Sequence, residues 1–362
     1  MGAFGSNPGE KFAKRALVDF FQKAVAPEVT NADYEGEISA GGGDRLNILS
    51  FSRGTIQNYT GAAMTPDTPD EIESQLVVDQ KKAYYFKIES VAKFISYIDD
   101  PSNTLINMYN AQLREVVDTF VLGFYGDVAA GNRYGTDYTT GTVAITAVTG
   151  AVTGTGTTFT AAMVGRGFKA AGHTKWYRVK TYTSATAIVI EDDFDDVASA
   201  YTGGTISAGA TYTIEAATKL QISKTTVYAM ALALGERLDE AKAPKEDRWM
   251  VIPSKIASVF KQAPELIPAV NMAYEGVVLN GLIGKINGII VYENELVTGN
   301  NTDGYHILAG HKSFLTFGMA FKESGTEDLI GAFGMAYKGL AVYGAKVADS
   351  RRKAGAEAFV YV

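Results

Sequence analysis

The chain has 362 residues, and 33 basic against 40 acidic side chains leave a formal charge of −7, which argues against a protein built to grip nucleic acid or an anionic membrane. With 46% hydrophobic and 20% charged residues it can bury a sizeable core and is not globally disordered, and its length suggests two or three domains at roughly 150 residues each. It contains 0 Cys, so disulfides, thiol nucleophiles and cysteine-ligated metals are excluded.

No charged start followed by an apolar run marks Met1 to Asn7, and no stretch of about 18 uncharged apolar residues occurs, so a soluble protein made in a cytoplasm is expected. From Gly9 to Ala26, Phe12, Ala16, Leu17, Phe20, Phe21 and Ala24 recur at three- and four-residue steps. They predict an amphipathic helix that stops at Pro27. The following stretch, Asn31 to Gly43, is polar and Gly-rich, which sets this helix on an arm whose apolar face must be covered by something distant, such as another subunit.

Between Asp44 and Phe86 the period changes to two. Leu46, Ile48, Phe51 and Ile56 oppose Ile72, Leu76, Val78, Tyr84 and Phe86 across Asn58 to Pro69, where Gly61, Pro66 and Pro69 break the chain. A long two-armed hairpin is predicted, and a connection of that length is generally functional or partner-bound. Pro101 and Ser102 then open the strongest helical pattern: Leu105, Met108, Tyr109, Leu113, Val116, Val117, Phe120, Val121 and Phe124, with Ser102 expected as the N-cap. If the helix runs to about Ala130 it spans roughly 40 Å.

Thr139 to Thr213 is rich in Thr, Gly, Ala and Val, with little helical period. Strands are expected at Thr142 to Val148, Phe168 to Ala170, Trp176 to Lys180, Ala187 to Ile190 and Thr211 to Ile214, forming a small antiparallel sandwich or barrel inserted into another domain. After Ala216 the pattern is mixed. Ser223 is expected to cap a helix ended by Pro244, Arg248 to Ile252 reads as a buried strand, and Ser254 starts a helix ending at Pro264. Further strands are expected at Ile286 to Tyr292, Tyr305 to Leu308 and Leu340 to Val347, giving an α/β domain around a central sheet.

Catalytic motifs are weak throughout. His306 and His311 stand five apart without a carboxylate between them, which does not match the helical spacing of a zinc pair, and His173 lies apart from both. Gly281, Gly284 and Lys285 lack the spacing of a phosphate loop, and the strand that follows explains them better. The acidic run Glu191, Asp192, Asp193, Asp195 and Asp196 offers Ca²⁺ ligands but lacks the alternation and central glycine of an EF-hand, so it reads as a solvated loop. Arg351, Arg352 and Lys353 read as a solvated basic face as readily as a DNA contact. No Gly-x-Ser-x-Gly occurs. No catalytic, cofactor or metal site is therefore expected; the reading is of a structural protein and not an enzyme.

Several segments taken in order carry a resemblance: Ala32 to Ile38, Gly43 to Ile48, Asn58-Tyr59-Thr60, Val78 to Phe86, Leu238 to Ala241, Arg248 to Pro253, Ile283 to Gly288 and Leu308 to Lys312. Together they resemble the major capsid proteins of tailed double-stranded DNA bacteriophages, of the Hong Kong 97 type. The resemblance implies an α+β fold with an N-terminal arm (1–43), an E-loop hairpin (44–86), a peripheral domain with a spine helix (87–138), an inserted all-β sandwich or barrel (139–215), an axial α/β domain (216–350) and a C-terminal strand (351–362) returning to the peripheral domain.

It also implies self-assembly through hexamers and pentamers into an icosahedral shell in the virion, put together in the host cytoplasm. Scaffolding and portal proteins would be partners, a decoration protein a further one, and packaged double-stranded DNA would be touched weakly and without sequence preference; no membrane is involved. Intersubunit contacts are expected at Phe12, Leu17, Phe20 and Phe21 in the arm and at Tyr59, Thr60, Met64 and Pro66 at the loop tip. The alternative is another phage structural or surface protein, of a tail or an adhesion device, that carries the β domain.

Overall fold

The computed structural model describes residues 24–33, 45–51, 56, 58, 71–89, 101–192, 200–264, 282–329 and 333–362. Four sheets and four helices organise them: α1 (Ala26–Val29), α2 (Pro101–Leu122), α3 (Val227–Glu240) and α4 (Ser254–Phe260).

The centre is a mixed sheet whose main path runs Leu220–Gln221, Gly355–Tyr361, Gly304–His311, Arg248–Ile252, Ile289–Glu293, Leu282–Ile286. Arg248–Ile252 is buried along its whole length, because both faces of the sheet are covered. Met250 and Ile252 point towards α3 and α4, into a cluster with Met230, Leu234, Ile256 and Phe260. Trp249 and Val251 point the other way, towards Val117 and Val121 of α2 and towards Phe314 and Tyr343. The period of two along one strand thus serves two separate cores.

The region expected as a single strand from Ile286 to Tyr292 is a hairpin, Leu282–Ile286 against Ile289–Glu293, turning at Asn287 and Gly288. Both turn residues have positive φ, 48° and 82°, the Asn-Gly signature of a two-residue hairpin.

A long three-stranded sheet, Thr316–Asp328, Gly334–Lys346 and Gln80–Glu89 in spatial order, lies under α2. Tyr84 and Phe86 stack on Tyr109 of the helix at 5.2 and 4.9 Å between centroids. The helix has 22 residues, about 33 Å at 1.5 Å each, and gives way to a 3₁₀ turn at Gly123–Asp127 short of the expected Ala130. Ser102 does not cap it. Pro101 is the first helical residue, and Ser102 is buried with its hydroxyl 3.0 Å from that of Tyr337.

These pairings redraw two expected boundaries. Tyr84 and Phe86 leave the predicted hairpin to pair with Gly339 and Tyr337, so residues 316–346 share a sheet with 80–89 and not with the strands around 250. The last strand, Gly355–Tyr361, joins the mixed sheet beside Gly304–His311 and does not return to α2 and the long sheet. Its alternating Ala356, Ala358 and Val360 are the small apolar residues that the α3 core accepts.

Residues 136–218 form a separate eight-stranded sheet in which every pairing is antiparallel. It has its own core, with Val143, Phe168, Val179, Ile188, Ile190 and Ile214. All five expected strands are present. Thr136–Tyr138, Ala151–Thr155 and Ile206–Ala210 are additional, since Gly154 and Gly209 interrupt the apolar alternation there. A two-stranded hairpin, Arg45–Phe51 with Glu71–Val77, completes the described fold.

Candidate functional site

Asp118 lies within α2, on the face that meets the N-terminal segment, and is only 2% exposed. Its two carboxylate oxygens accept the backbone N–H groups of Val25 and Ala26, each at 2.9 Å, and Asn294 Nδ2 donates to it at 3.3 Å. Burial pushes the carboxyl above its usual range, opposed by the two backbone donors. A helix start leaves N–H groups without internal partners; here a carboxylate on another helix supplies acceptors.

Pro27 occupies the first turn of α1, where its missing N–H is no loss. It therefore starts a helix at the point where the sequence suggested that one stops. Beyond α1, Asn31 N–H donates to the Leu315 carbonyl and Phe317 N–H to the Asn31 carbonyl, both at 2.9 Å. Val25, Ala26 and Val29 are buried against α2 and the long sheet. Residues 24–31 are thus a fixed anchor for whatever precedes them.

The hairpin is the second element. Leu46 pairs with Leu76 and Ile48 with Ser74, and the Leu76 side packs on Val342 of the long sheet. The opposite face, with Arg45, Asn47, Leu49, Glu73, Gln75 and Val77, is exposed, Leu49 to 60%. At about 3.4 Å per residue the seven paired residues on each arm reach roughly 24 Å, and Ile56 beyond them is 98% exposed. Leu49 and Ile56 are thus apolar side chains on the exposed face and beyond the end of a projecting strand pair, an edge of the kind that another chain can cover.

The eight contact residues expected from sequence, Phe12, Leu17, Phe20, Phe21, Tyr59, Thr60, Met64 and Pro66, lie outside the described residues. Asp118 was not foreseen, although an acidic residue between Val117 and Val121 on the apolar stripe was a readable signal.

The histidines serve separate structural roles. His173 accepts from Ala170 N–H at 3.2 Å and lies 2.7 Å from the Tyr201 hydroxyl. His311 caps the turn at Ser313, and His306 meets Glu357 at 2.7 Å. On one strand an odd spacing puts His306 and His311 on opposite faces.

The acidic run does not begin as a solvated loop. Glu191 and Asp192 are buried strand residues, paired with Lys180 at 3.1 Å and Lys175 at 2.9 Å, and Asp192 also accepts from the Thr202 backbone and hydroxyl; residues 193–199 lie outside the described set. Among the described residues no cluster of three metal-ligating side chains occurs, and no helix is long and apolar enough to cross a membrane. Arg352 of the basic cluster is buried and donates to the Asp127 carbonyl and carboxylate, so it braces the 3₁₀ turn after α2.

No protein-family profile matches the chain, and no curated protein does. Solved structures do match over nearly the whole length. One from Mycobacterium phage Che8 aligns with a TM-score of 0.61 at 14% identity, covering 98% of each chain. The cyanophage Pam1 capsid asymmetric unit gives 0.58 at 13% identity, covering 100% of this chain and 99% of the other. The capsid of cyanophage P-SCSP1u gives 0.56 at 14%, covering 97% and 92%. From the anchored N-terminal segment to the last strand of the mixed sheet, this chain has the fold of phage capsid structures.

Proposed function

We propose that this chain is a major capsid protein of the Hong Kong 97 type, which self-assembles into the icosahedral shell enclosing a phage double-stranded DNA genome. The observation that carries the reading is the match to capsid structures over essentially the full length of both chains, supported by a hairpin that leaves one whole face exposed. In this reading the hairpin is the E-loop and α2 is the spine. The long sheet belongs with α2 in the peripheral domain, the mixed sheet with α3 and α4 is the axial domain, and residues 136–218 are the inserted domain.

A shell works by repetition. Each contact need bury only about 800 Å² per partner, because many such contacts close on one another. An extended hairpin suits this role, since its exposed apolar residues become a joint when a neighbour covers them. Residues 24–31 are held at Asp118 and Leu315, so in this reading a pull on the arm would be borne by that anchor and not by the core of the subunit. The net charge of −7 suits a container that must release its DNA, with only weak, non-specific contact to it. A scaffolding protein, a portal and a decoration protein are the further partners of this reading, and the virion is its location.

Deleting residues 58–69 tests it. The expected product is a folded subunit that forms no shells; normal shells from that deletion would remove the joint from the account.

A further inference from the structure

Residues 136–218 leave and rejoin the mixed sheet along one edge. Arg133–Tyr134 and Leu220–Gln221 both run parallel to Gly355–Tyr361, beside Glu357–Ala358 and Val360–Tyr361 respectively. Two connections placed so close together would act as a hinge if nothing else crossed the junction.

A buried charge cluster crosses it. Glu357 Oε2 accepts from Arg133 Nη1 and from Arg166 Nη1, both at 2.8 Å, and Oε1 lies 2.7 Å from His306 Nδ1. Arg133 and His306 belong to the mixed sheet, whereas Arg166 precedes the strand Gly167–Ala170 of the antiparallel sheet. Glu215 returns the contact from the other side, accepting from Gly131 N–H at 2.6 Å and Gly167 N–H at 3.1 Å, with Arg133 Nε 3.5 Å away. The cluster is sealed by rings: His306 is stacked between Tyr125 and Phe359 at 4.0 and 4.4 Å, and the Arg166 guanidinium sits 5.3 Å from the Phe359 centroid. A Cβ on Gly167 would fall 2.4 Å from Glu215 Oε1, so the close approach needs glycine there.

We propose that Glu357 is an orientation lock: its carboxylate, shared between Arg166 of the antiparallel sheet and Arg133 and His306 of the mixed sheet, makes the two sheets one rigid body. Swinging residues 136–218 outwards would pull Arg166 from Glu357 and strand a desolvated guanidinium, which is the costly way to break a buried pair. Any rotation of the mixed sheet must then carry the antiparallel sheet with it. The lock is a property of the single chain, so its test stands apart from the question of shell formation.

With 0 Cys in the chain, spin labels can be placed cleanly at Thr153→Cys and Lys255→Cys, exposed sites on the two sides of the junction. The doubly labelled full chain, diluted with unlabelled protein, is measured by pulsed dipolar electron resonance. One narrow distance distribution is expected. Arg166→Met leaves Arg133 and His306 on Glu357, so no carboxylate is orphaned, and should widen the distribution at least twofold with the fold intact by circular dichroism. Arg166→Lys, a milder change should the first variant not fold, should widen it less. Lys180→Met, which removes the exposed lysine that pairs with Glu191 inside the antiparallel sheet, should leave the width unchanged. A folded Arg166 variant with the original width, or equal widening from Lys180→Met, would overturn the lock.

Discussion

Replacing Asp118 by alanine removes the two acceptors that hold the start of α1. Val25 and Ala26 N–H groups, each 2.9 Å from a carboxylate oxygen, would be left inside a packed junction without partners. A buried donor left unmade costs about 1–3 kcal/mol. With some return of water at the segment's edge, the pair loses roughly 2–4 kcal/mol of local stability. At about 1.4 kcal/mol per factor of ten, amides of residues 25–31 should exchange with solvent roughly 30- to 1,000-fold faster. Asp118→Asn keeps one carbonyl acceptor and should give about half of that effect on the logarithmic scale. Hydrogen exchange read by mass spectrometry on peptides covering 24–33 measures the change, with amides of Arg248–Ile252 as the internal reference. Exchange in 24–33 within twofold of the wild type in Asp118→Ala would refute the anchor.

Three further outcomes follow from the junction at Glu357. Burial alone would raise the Glu357 carboxyl, but the Arg133 charge, the His306 hydrogen bond and the Arg166 charge outweigh it and bring it down to about 2. A depressed carboxyl contributes stability that is present above its unfolded value near 4.5 and lost as pH falls towards 2, about 3 kcal/mol in all. The advantage of wild type over Glu357→Gln in denaturant titrations should therefore shrink across that window, and a gap that stays constant would contradict it. Glu215 has the opposite sign. Burial, with Glu357 adding to it, lifts the carboxyl to about 7 against the pull of Arg133 and the Gly131 amide. The protonated form is the one that folding favours, so this contribution is present below about 4.5 and fades as pH rises through 7. Glu215→Gln should gain on wild type between pH 5 and 8 in the same titration, and a flat difference would count against it. Gly167→Ala would place a methyl 2.4 Å from Glu215 Oε1 and 2.9 Å from Ala130 Cβ, costing about 1–3 kcal/mol by overpacking; an unchanged melting temperature would show that the approach is looser than this geometry.

Periodicity made the framework legible. The stripe from Leu105 to Phe124 marks α2, the alternation at Leu46, Ile48 and Leu76 marks the hairpin, and the Thr- and Val-rich texture marks the antiparallel sheet. Partner choice was not legible, because a strand's pattern shows that it pairs and not with which strand. Residues 80–86 read as part of the hairpin yet lie on the strand 80–89 that pairs with 334–343, and the final strand joins the mixed sheet because Ala356, Ala358 and Val360 fit beneath α3. Such pairings join residues from about 50 to more than 200 positions apart, a separation that local pattern does not encode. The buried polar residues were hidden for a related reason. Glu215, Glu357 and Arg133 look like ordinary surface charges until the fold brings them together, and Asp118 gains its role only when the backbone of residues 25 and 26 arrives beside it.

The central claim is that this fold builds a shell. Negative-stain electron microscopy of the purified chain, alone and co-expressed with the genes that neighbour its own, tests it most directly. Closed icosahedral particles are the predicted result. A monodisperse monomer under both conditions would contradict the account and turn attention to the antiparallel sheet of residues 136–218 as the functional part of the chain.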